Sequence, residues 1–137
     1  MNITLWRRVV FCFLALGLLG TAVAHHSFAV FFDASRLITV SGVVTGFKFV
    51  NPHGTIVLEV KGKAGPAEIW KVETNAPTVL RRMGWSQGSI KAGESVTVEG
   101  WGSRDGSRYM RMRKVTRADG SLIGRAPMGF NDDGSSK

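Results

Sequence analysis

The stretch "EIWKVETNAPTVLRRMG", Glu68–Gly84, decides the fold because its periodicity changes in the middle. In Glu68–Thr74, residues that favour β-structure alternate with charged ones, which predicts a strand. Beyond it, Val79, Leu80 and Met83 recur at the spacing of one helical face. A strand followed at once by a short helix is therefore expected here.

Residues that favour the start and the end of a helix flank the second half of this stretch. Asn75 is a residue type that caps helix N-termini, and Pro77 falls in the first turn, where its missing N–H costs nothing. Gly84 can adopt the left-handed conformation that ends a helix. We therefore predict a helix over roughly Ala76–Met83.

The sequence before this stretch predicts two further strands. A run rich in β-branched and aromatic residues, punctuated by Gly42 and Gly46, predicts one long, curved strand. The turn Asn51–Gly54 ends that strand. Thr55–Gly62 then alternates apolar and polar residues, as a half-buried strand does.

Two more strands follow the helix. Val96 and Val98 share one face of the first, "RDGS" makes a turn, and Arg108–Arg117 forms the second. Three strands, one helix and two strands (β-β-β-α-β-β) is the order of a five-stranded OB-fold-like barrel. A β-sandwich is the alternative, but it would need about seven strands.

The N-terminal residues 1–24 resemble a signal peptide. Arg7 and Arg8 precede the apolar run Val9–Ala24, which is short for a membrane span, and Ala22 and Ala24 suit signal peptidase. We expect cleavage and a periplasmic or secreted location, with an uncleaved N-terminal anchor as the alternative. The barrel domain should then cover 25–117, and the Gly-, Ser- and Asp-rich tail 118–137 is expected to be flexible.

Cysteine and charge exclude several classes of function. The only cysteine, Cys12, lies inside the leader, so the mature chain should have no disulfide, thiol nucleophile or Cys-bound zinc. Without Arg7 and Arg8, the 18 basic and 10 acidic residues leave a net charge of +6. Outside the cytoplasm this charge points away from nucleic acid. We expect a monomer without a membrane span after cleavage.

The three histidines, His25, His26 and His53, suggest a metal site. If cleavage follows Ala24, the terminal amine and the imidazole of His25 can chelate one ion, and His53 can add a third nitrogen, a donor set that suits copper as Cu(II). Cleavage after Ala22 would instead place His25 third from the amine, in a square-planar Cu(II) site. The competing interpretation is a solvated histidine pair and an ordinary turn histidine.

Two residues, Asn51 and Glu73, are candidates for orienting a histidine ligand by contacting the ring nitrogen that does not bind the metal. Met110 and Met112 are a weaker copper hypothesis, because they share one face of the last strand and core packing explains them better. No nucleophile elbow or dinucleotide loop is present, and no carboxylate pair can be recognised. A binding protein is therefore favoured over an enzyme, with a copper-dependent oxidase as a remote third possibility.

The alternative function is an envelope adaptor that recognises another protein or an anionic glycan. Trp101 is spaced so that it lies on the same face of its strand as the polar residues, and it is the aromatic residue expected to be exposed. It would act with the cations of the last strand, which are Arg108, Arg111, Arg113, Lys114 and Arg117.

Several motifs together resemble a family of small exported proteins of Gram-negative bacteria, catalogued as a domain of unknown function. They are "AHHSF", "NPHG", "WKVETNAPTVLRRMGW" and "KAGESVTVEG". The resemblance covers about 25–117 and implies no activity. It implies that the signature positions of the family are occupied here by His25, His26, Ser27, Phe28, Asn51, Pro52, His53, Trp70, Glu73 and Gly84.

Overall fold

The computed structural model describes residues 28–62 and 65–125. The elements in chain order are α1 (Phe28–Phe31), β1 (Phe32–Lys48), β2 (Thr55–Val60), β3 (Glu68–Glu73), α2 (Pro77–Arg82), β4 (Ser95–Ser103) and β5 (Tyr109–Arg117). The predicted signal peptide, His25 and His26 lie outside the described residues. Neither described helix is long and apolar enough to cross a bilayer.

The five strands close into a barrel in the order β1-β2-β3-β5-β4. β3 and β5 pair in parallel, with Glu73 opposite Arg111, and the other neighbouring strands are antiparallel. The helix α2 lies in the connection between β3 and β4. This confirms the predicted five-stranded OB-fold-like architecture, to which the structure adds the unpredicted short helix α1.

The long strand β1 closes the barrel by pairing with two neighbours. Val43 lies opposite Glu59 of β2 and also opposite Ser95 of β4. The register with β2 shifts between Val44 and Gly46, which marks a β-bulge. The bend expected near Gly46 is therefore present, and it lets one strand serve both sides of the barrel.

The barrel interior is filled by the apolar residues of the alternating strands. Ile56 and Leu58 of β2 are fully buried, as are Val72 and Val98, and Leu80 of α2 belongs to the same buried cluster. Met110 and Met112 of β5 are also core residues, which confirms core packing as their role. Burying each such side chain contributes on the order of 1.5–3 kcal/mol.

The helix α2 begins differently from the prediction. Asn75 does not cap it: Ala76 is the N-cap residue and no side-chain hydrogen bond caps the helix. The Asn75 side chain is used by Arg111 instead. The C-terminal prediction is correct, because Gly84 follows the helix with φ +83°.

The packed chain extends past the predicted barrel boundary at Arg117. Ile123 is buried in the core, and its N–H donates to the Val115 carbonyl at 2.9 Å. The Arg125 N–H donates to the Met83 carbonyl at the end of α2, at 2.7 Å. Residues 118–125 thus form a strap that packs on the barrel and on the end of α2, and 126–137 lie outside the described residues.

Candidate functional site

The site is centred on the carboxylate of Glu73, at the end of β3. Its Oε1 lies 3.0 Å from Nδ1 of His53 and accepts a hydrogen bond from Nη1 of Arg111 at 2.8 Å. Its Oε2 accepts a hydrogen bond from the hydroxyl of Tyr109. One carboxylate therefore joins the loop after β1 to two residues of β5.

The loop 49–54 reaches this carboxylate because Gly54 packs directly on the chain after β3. The Thr74 N–H donates to the Gly54 carbonyl at 2.9 Å, and the Gly54 N–H donates to the Asn75 carbonyl at 3.3 Å. A Cβ atom at position 54 would lie 2.5 Å from Thr74 Oγ1 and 2.7 Å from the Lys48 carbonyl oxygen. Only glycine allows this approach, and it places the neighbouring His53 beside Glu73.

Arg111 is enclosed by hydrogen-bond acceptors, and its side chain is only 15% exposed. Besides Glu73, it donates to the Thr74 carbonyl at 2.6 Å and to Oδ1 of Asn75. Burial lowers the pKa of the Arg111 guanidinium, and the Glu73 carboxylate opposes that shift. Arg111 therefore acts as an internal brace for Glu73 and is not an open contact for a partner.

Tyr109 links the site to the N-terminal end of the described chain. Burial, and then its hydrogen bond to Glu73, raise the pKa of the Tyr109 phenol above its usual value, so the hydroxyl stays a donor at neutral pH. The Tyr109 ring packs on Phe32 at 5.2 Å, and Phe32 packs on Phe28 at 5.6 Å. The chain segment that follows His25, His26 and Ser27 is thus in contact with this end of the site.

The prediction that Trp101 is exposed is wrong. Trp101 is 2% exposed because Phe28 of α1 packs against it edge-on, with ring centroids 5.4 Å apart. Trp101 lies on the outer face of β4, as the sequence pattern predicts. It is therefore not part of the main core cluster. The N-terminal segment simply covers the outside of the barrel at this point.

Arg108, just before β5, and the other cations of β5 are also engaged within the chain. Arg108 donates to Glu68 at 2.8 Å, Arg113 pairs with Glu99, and Lys114 lies 3.2 Å from the same carboxylate. Arg117 lies 3.9 Å from Glu94. The basic strand therefore faces its own acidic neighbours, which weakens it as a surface for an anionic partner.

His53 is the one proposed metal ligand among the described residues. Its side chain is 36% exposed, and Glu73 contacts Nδ1; within 28–62 and 65–125, Nε2 has no hydrogen-bond partner. Asn51, the other proposed orienting residue, is exposed and makes no hydrogen bond in that part of the chain. No group of three or more His, Cys, Asp or Glu side chains there could hold a metal.

Sequence reasoning found His53 and Glu73 but missed the residues that hold Glu73. The sequence pattern predicts Arg111 as a partner contact and Asn75 as a helix cap, and it assigns no role to Tyr109. No local pattern distinguishes these roles, because they arise from the parallel pairing of β3 with β5.

The strand order and the helix position define the chain as an OB-fold-like β-barrel protein. It belongs to a family described as "Family of unknown function (DUF6152)", whose model matches residues 14–111. That range contains the motifs on which the family resemblance was based. A search of curated proteins finds no match.

Among solved structures, one similar chain is TiaS in its complex with an isoleucine tRNA and ATP, with 18% identity and a TM-score of 0.45. The alignment covers 63% of this chain and 19% of the other, so this chain spans about a fifth of that protein. Another is Rim1, a mitochondrial single-stranded DNA binding protein from S. cerevisiae, with 9% identity and a TM-score of 0.46, covering 69% and 98% of the two chains. Neither likeness bears on what this chain binds.

Proposed function

We propose that this protein binds a copper-type metal ion through His53 and the histidines of a processed N-terminus, His25 and His26. The observation that carries the proposal is the 3.0 Å contact between Nδ1 of His53 and Oε1 of Glu73. A carboxylate on one ring nitrogen fixes the tautomer and makes the other nitrogen a better metal ligand. Nε2 of His53 is then the ligand atom, and an all-nitrogen donor set suits Cu(II).

The contacts around Glu73 support the proposal that the His53 imidazole is oriented before a metal ion binds. Arg111 and Tyr109 hold both carboxylate oxygens, so Glu73 presents a fixed acceptor to the imidazole of His53. A ligand that is already positioned loses less conformational entropy on binding. Because the side chain of His53 is 36% exposed, a metal ion can reach it from solvent.

The position of α1 supports the participation of the N-terminus. Arg104 fastens this segment, since its N–H donates to the Phe31 carbonyl at 2.9 Å and its Nε donates to the Ala29 carbonyl at 2.7 Å. Phe28 is joined to Tyr109 through Phe32, and Tyr109 contacts Glu73. Three residues precede Phe28 in a chain that starts at His25, and three residues can extend roughly 10 Å.

The proposal includes export and removal of residues 1–24, because a chelating amine exists only after cleavage. The basic pair Arg7–Arg8, the apolar run Val9–Ala24 and the Ala22/Ala24 pattern are the basis for it. The protein would then work in the periplasm or beyond the cell. The adaptor alternative is less well supported, since Trp101 is buried and Arg108, Arg111 and Arg113 have carboxylate partners in the chain.

The test is a Cu(II) titration of the exported protein by calorimetry, after intact mass spectrometry has established its first residue. We expect a chain that starts at His25 to bind one Cu(II). His53→Ala should weaken binding most, and Glu73→Gln should weaken it by about 10–100-fold because the ligand loses its orienting partner. Asn51→Ala is the matched control in the same loop and should leave the affinity unchanged.

Two results would overturn the proposal. One is full-strength copper binding by His53→Ala, which would remove His53 from the site. The other is no copper uptake by a folded chain that starts at His25, after which the adaptor function would be the better explanation. Cooperative urea unfolding of every variant must be checked, because Glu73→Gln also disturbs Arg111.

A further inference from the structure

Three large apolar side chains are exposed together near the start of the described chain. Val30 is 62% exposed, and Phe31 and Leu37 are each 50% exposed. Leu37 lies opposite Trp101 across the β1–β4 pair, and Phe28 of α1 packs edge-on against Trp101. These residues therefore belong to one region of the barrel exterior.

Two arginines flank this apolar region. Arg104 is held against α1 by its bonds to the carbonyls of Ala29 and Phe31, and Arg36 donates from Nη1 to the Ser103 carbonyl at 3.0 Å. Both are exposed, and neither forms an ion pair within the described residues. Asp33 and Asp105 are the acids nearby: Oδ1 of Asp33 accepts hydrogen bonds from the N–H and hydroxyl of Ser35, and Oδ1 of Asp105 accepts one from the Ser107 N–H. The region is therefore apolar, and the two arginines at its rim form no ion pair within the described residues.

We propose that this α1 surface, comprising Val30, Phe31, Leu37, Arg36 and Arg104, docks on an anionic phospholipid bilayer. Exposed apolar side chains between cations match a bilayer interface, which offers hydrocarbon beside negative headgroups. A glycan would supply the negative charge but no hydrocarbon for Val30 and Phe31.

The chain order supports the same partner. Residues 25–27 alone separate α1 from the apolar run Val9–Ala24. If the chain is exported as proposed above, this surface is the first part of the barrel to follow the segment that enters the membrane. Docking there does not depend on copper binding, because none of its five residues contacts His53 or Glu73.

Vesicle co-sedimentation of the exported protein tests the proposal, with phosphatidylcholine vesicles that contain or lack phosphatidylglycerol. We expect binding only with the anionic lipid, and weaker binding at high salt. Phe31→Ser should weaken it by about tenfold, because half of an aromatic side chain leaves the interface. Arg36→Gln should weaken it by about fivefold.

Val50→Ser is the matched control, since Val50 is similarly exposed but lies in the loop that carries His53. It should bind vesicles as the unaltered protein does. Equal losses in Val50→Ser and Phe31→Ser, or no binding to anionic vesicles, would overturn the proposal. So would a dimer in sedimentation velocity that Phe31→Ser dissolves, because the surface would then be covered by a second copy of the chain.

Discussion

Nδ1 of His53 lies 3.0 Å from Oε1 of Glu73, so the loop after β1 is tied to the end of β3 through one side-chain contact. The same carboxylate oxygen accepts a hydrogen bond from Arg111 of β5. Three segments that are distant in sequence therefore meet at Glu73.

Glu73→Gln should lower the free energy of unfolding by about 2–4 kcal/mol, because it leaves the largely buried Arg111 without a counter-charge. The double variant Glu73→Gln/Arg111→Met should lose less than the two single variants combined, by about 1–3 kcal/mol. Urea denaturation of the four proteins measures this coupling. Tyr109→Phe is the control for loss of one neutral donor and should cost about 1 kcal/mol. Strictly additive losses would contradict the pairing.

Gly54→Ala should destabilise the protein by about 1–3 kcal/mol, because the new Cβ would overlap Thr74 Oγ1 and the Lys48 carbonyl. It should also shift the NMR signals of the His53 imidazole, as the loop moves away from Glu73. Gly46→Ala is the control, since a Cβ there has no neighbour within 4 Å. If both substitutions cost the same, close packing at Gly54 is not what positions the loop.

Gly124→Ala and Gly120→Ala separate packing from backbone strain in the strap 118–125. Both glycines have positive φ, +76° and +83°, so each alanine should cost about 1 kcal/mol for its conformation. A Cβ at 124 would also collide with Nε1 of Trp85, whereas position 120 is open. Thermal unfolding followed by tryptophan emission should show Gly124→Ala as clearly less stable. Equal stability would mean that the strap does not pack on Trp85.

Stability should fall between about pH 4.5 and pH 2 as Glu68 becomes protonated. The hydrogen bond from Arg108 lowers the pKa of Glu68 from 4.5 to about 2. The folded pKa is below the unfolded one, so the stabilisation is complete above pH 4.5 and is lost as the pH falls through the folded value.

The pKa of Glu99 is also lowered: burial raises it, but hydrogen bonds from Arg113 and Lys114 outweigh burial, so Glu99 adds to the same acid-side loss. Urea denaturation at a series of pH values measures the slope. Arg108→Gln should make that slope shallower by returning Glu68 towards its usual pKa. Arg82→Gln should leave it unchanged, because Arg82 is exposed and pairs with no acid in the described part of the chain. A slope that Arg108→Gln does not alter would contradict the Glu68 pairing.

The strand and helix elements could be predicted because their signals are local. Ile56 and Leu58 are two residues apart on one strand face, and Gly84 marks the end of α2, so the β-β-β-α-β-β order of the barrel followed from spacing, although the short helix α1 was not predicted. The errors lie where a distant segment intervenes. Trp101 has outward parity but is covered by Phe28, and Ile123 joins the core from a stretch whose composition is typical of a tail.

By itself, the sequence determined the order of the five strands and α2, the core faces of the strands and the candidacy of His53 and Glu73, because neighbours along the chain fix periodicity and side-chain chemistry. Only the tertiary structure decided which charges are partners. The parallel pairing of β3 with β5 sets Glu73 opposite Arg111, and the close approach at Gly54 adds His53. These contacts depend on how the barrel closes, and barrel closure is a property of strand register that no single segment encodes.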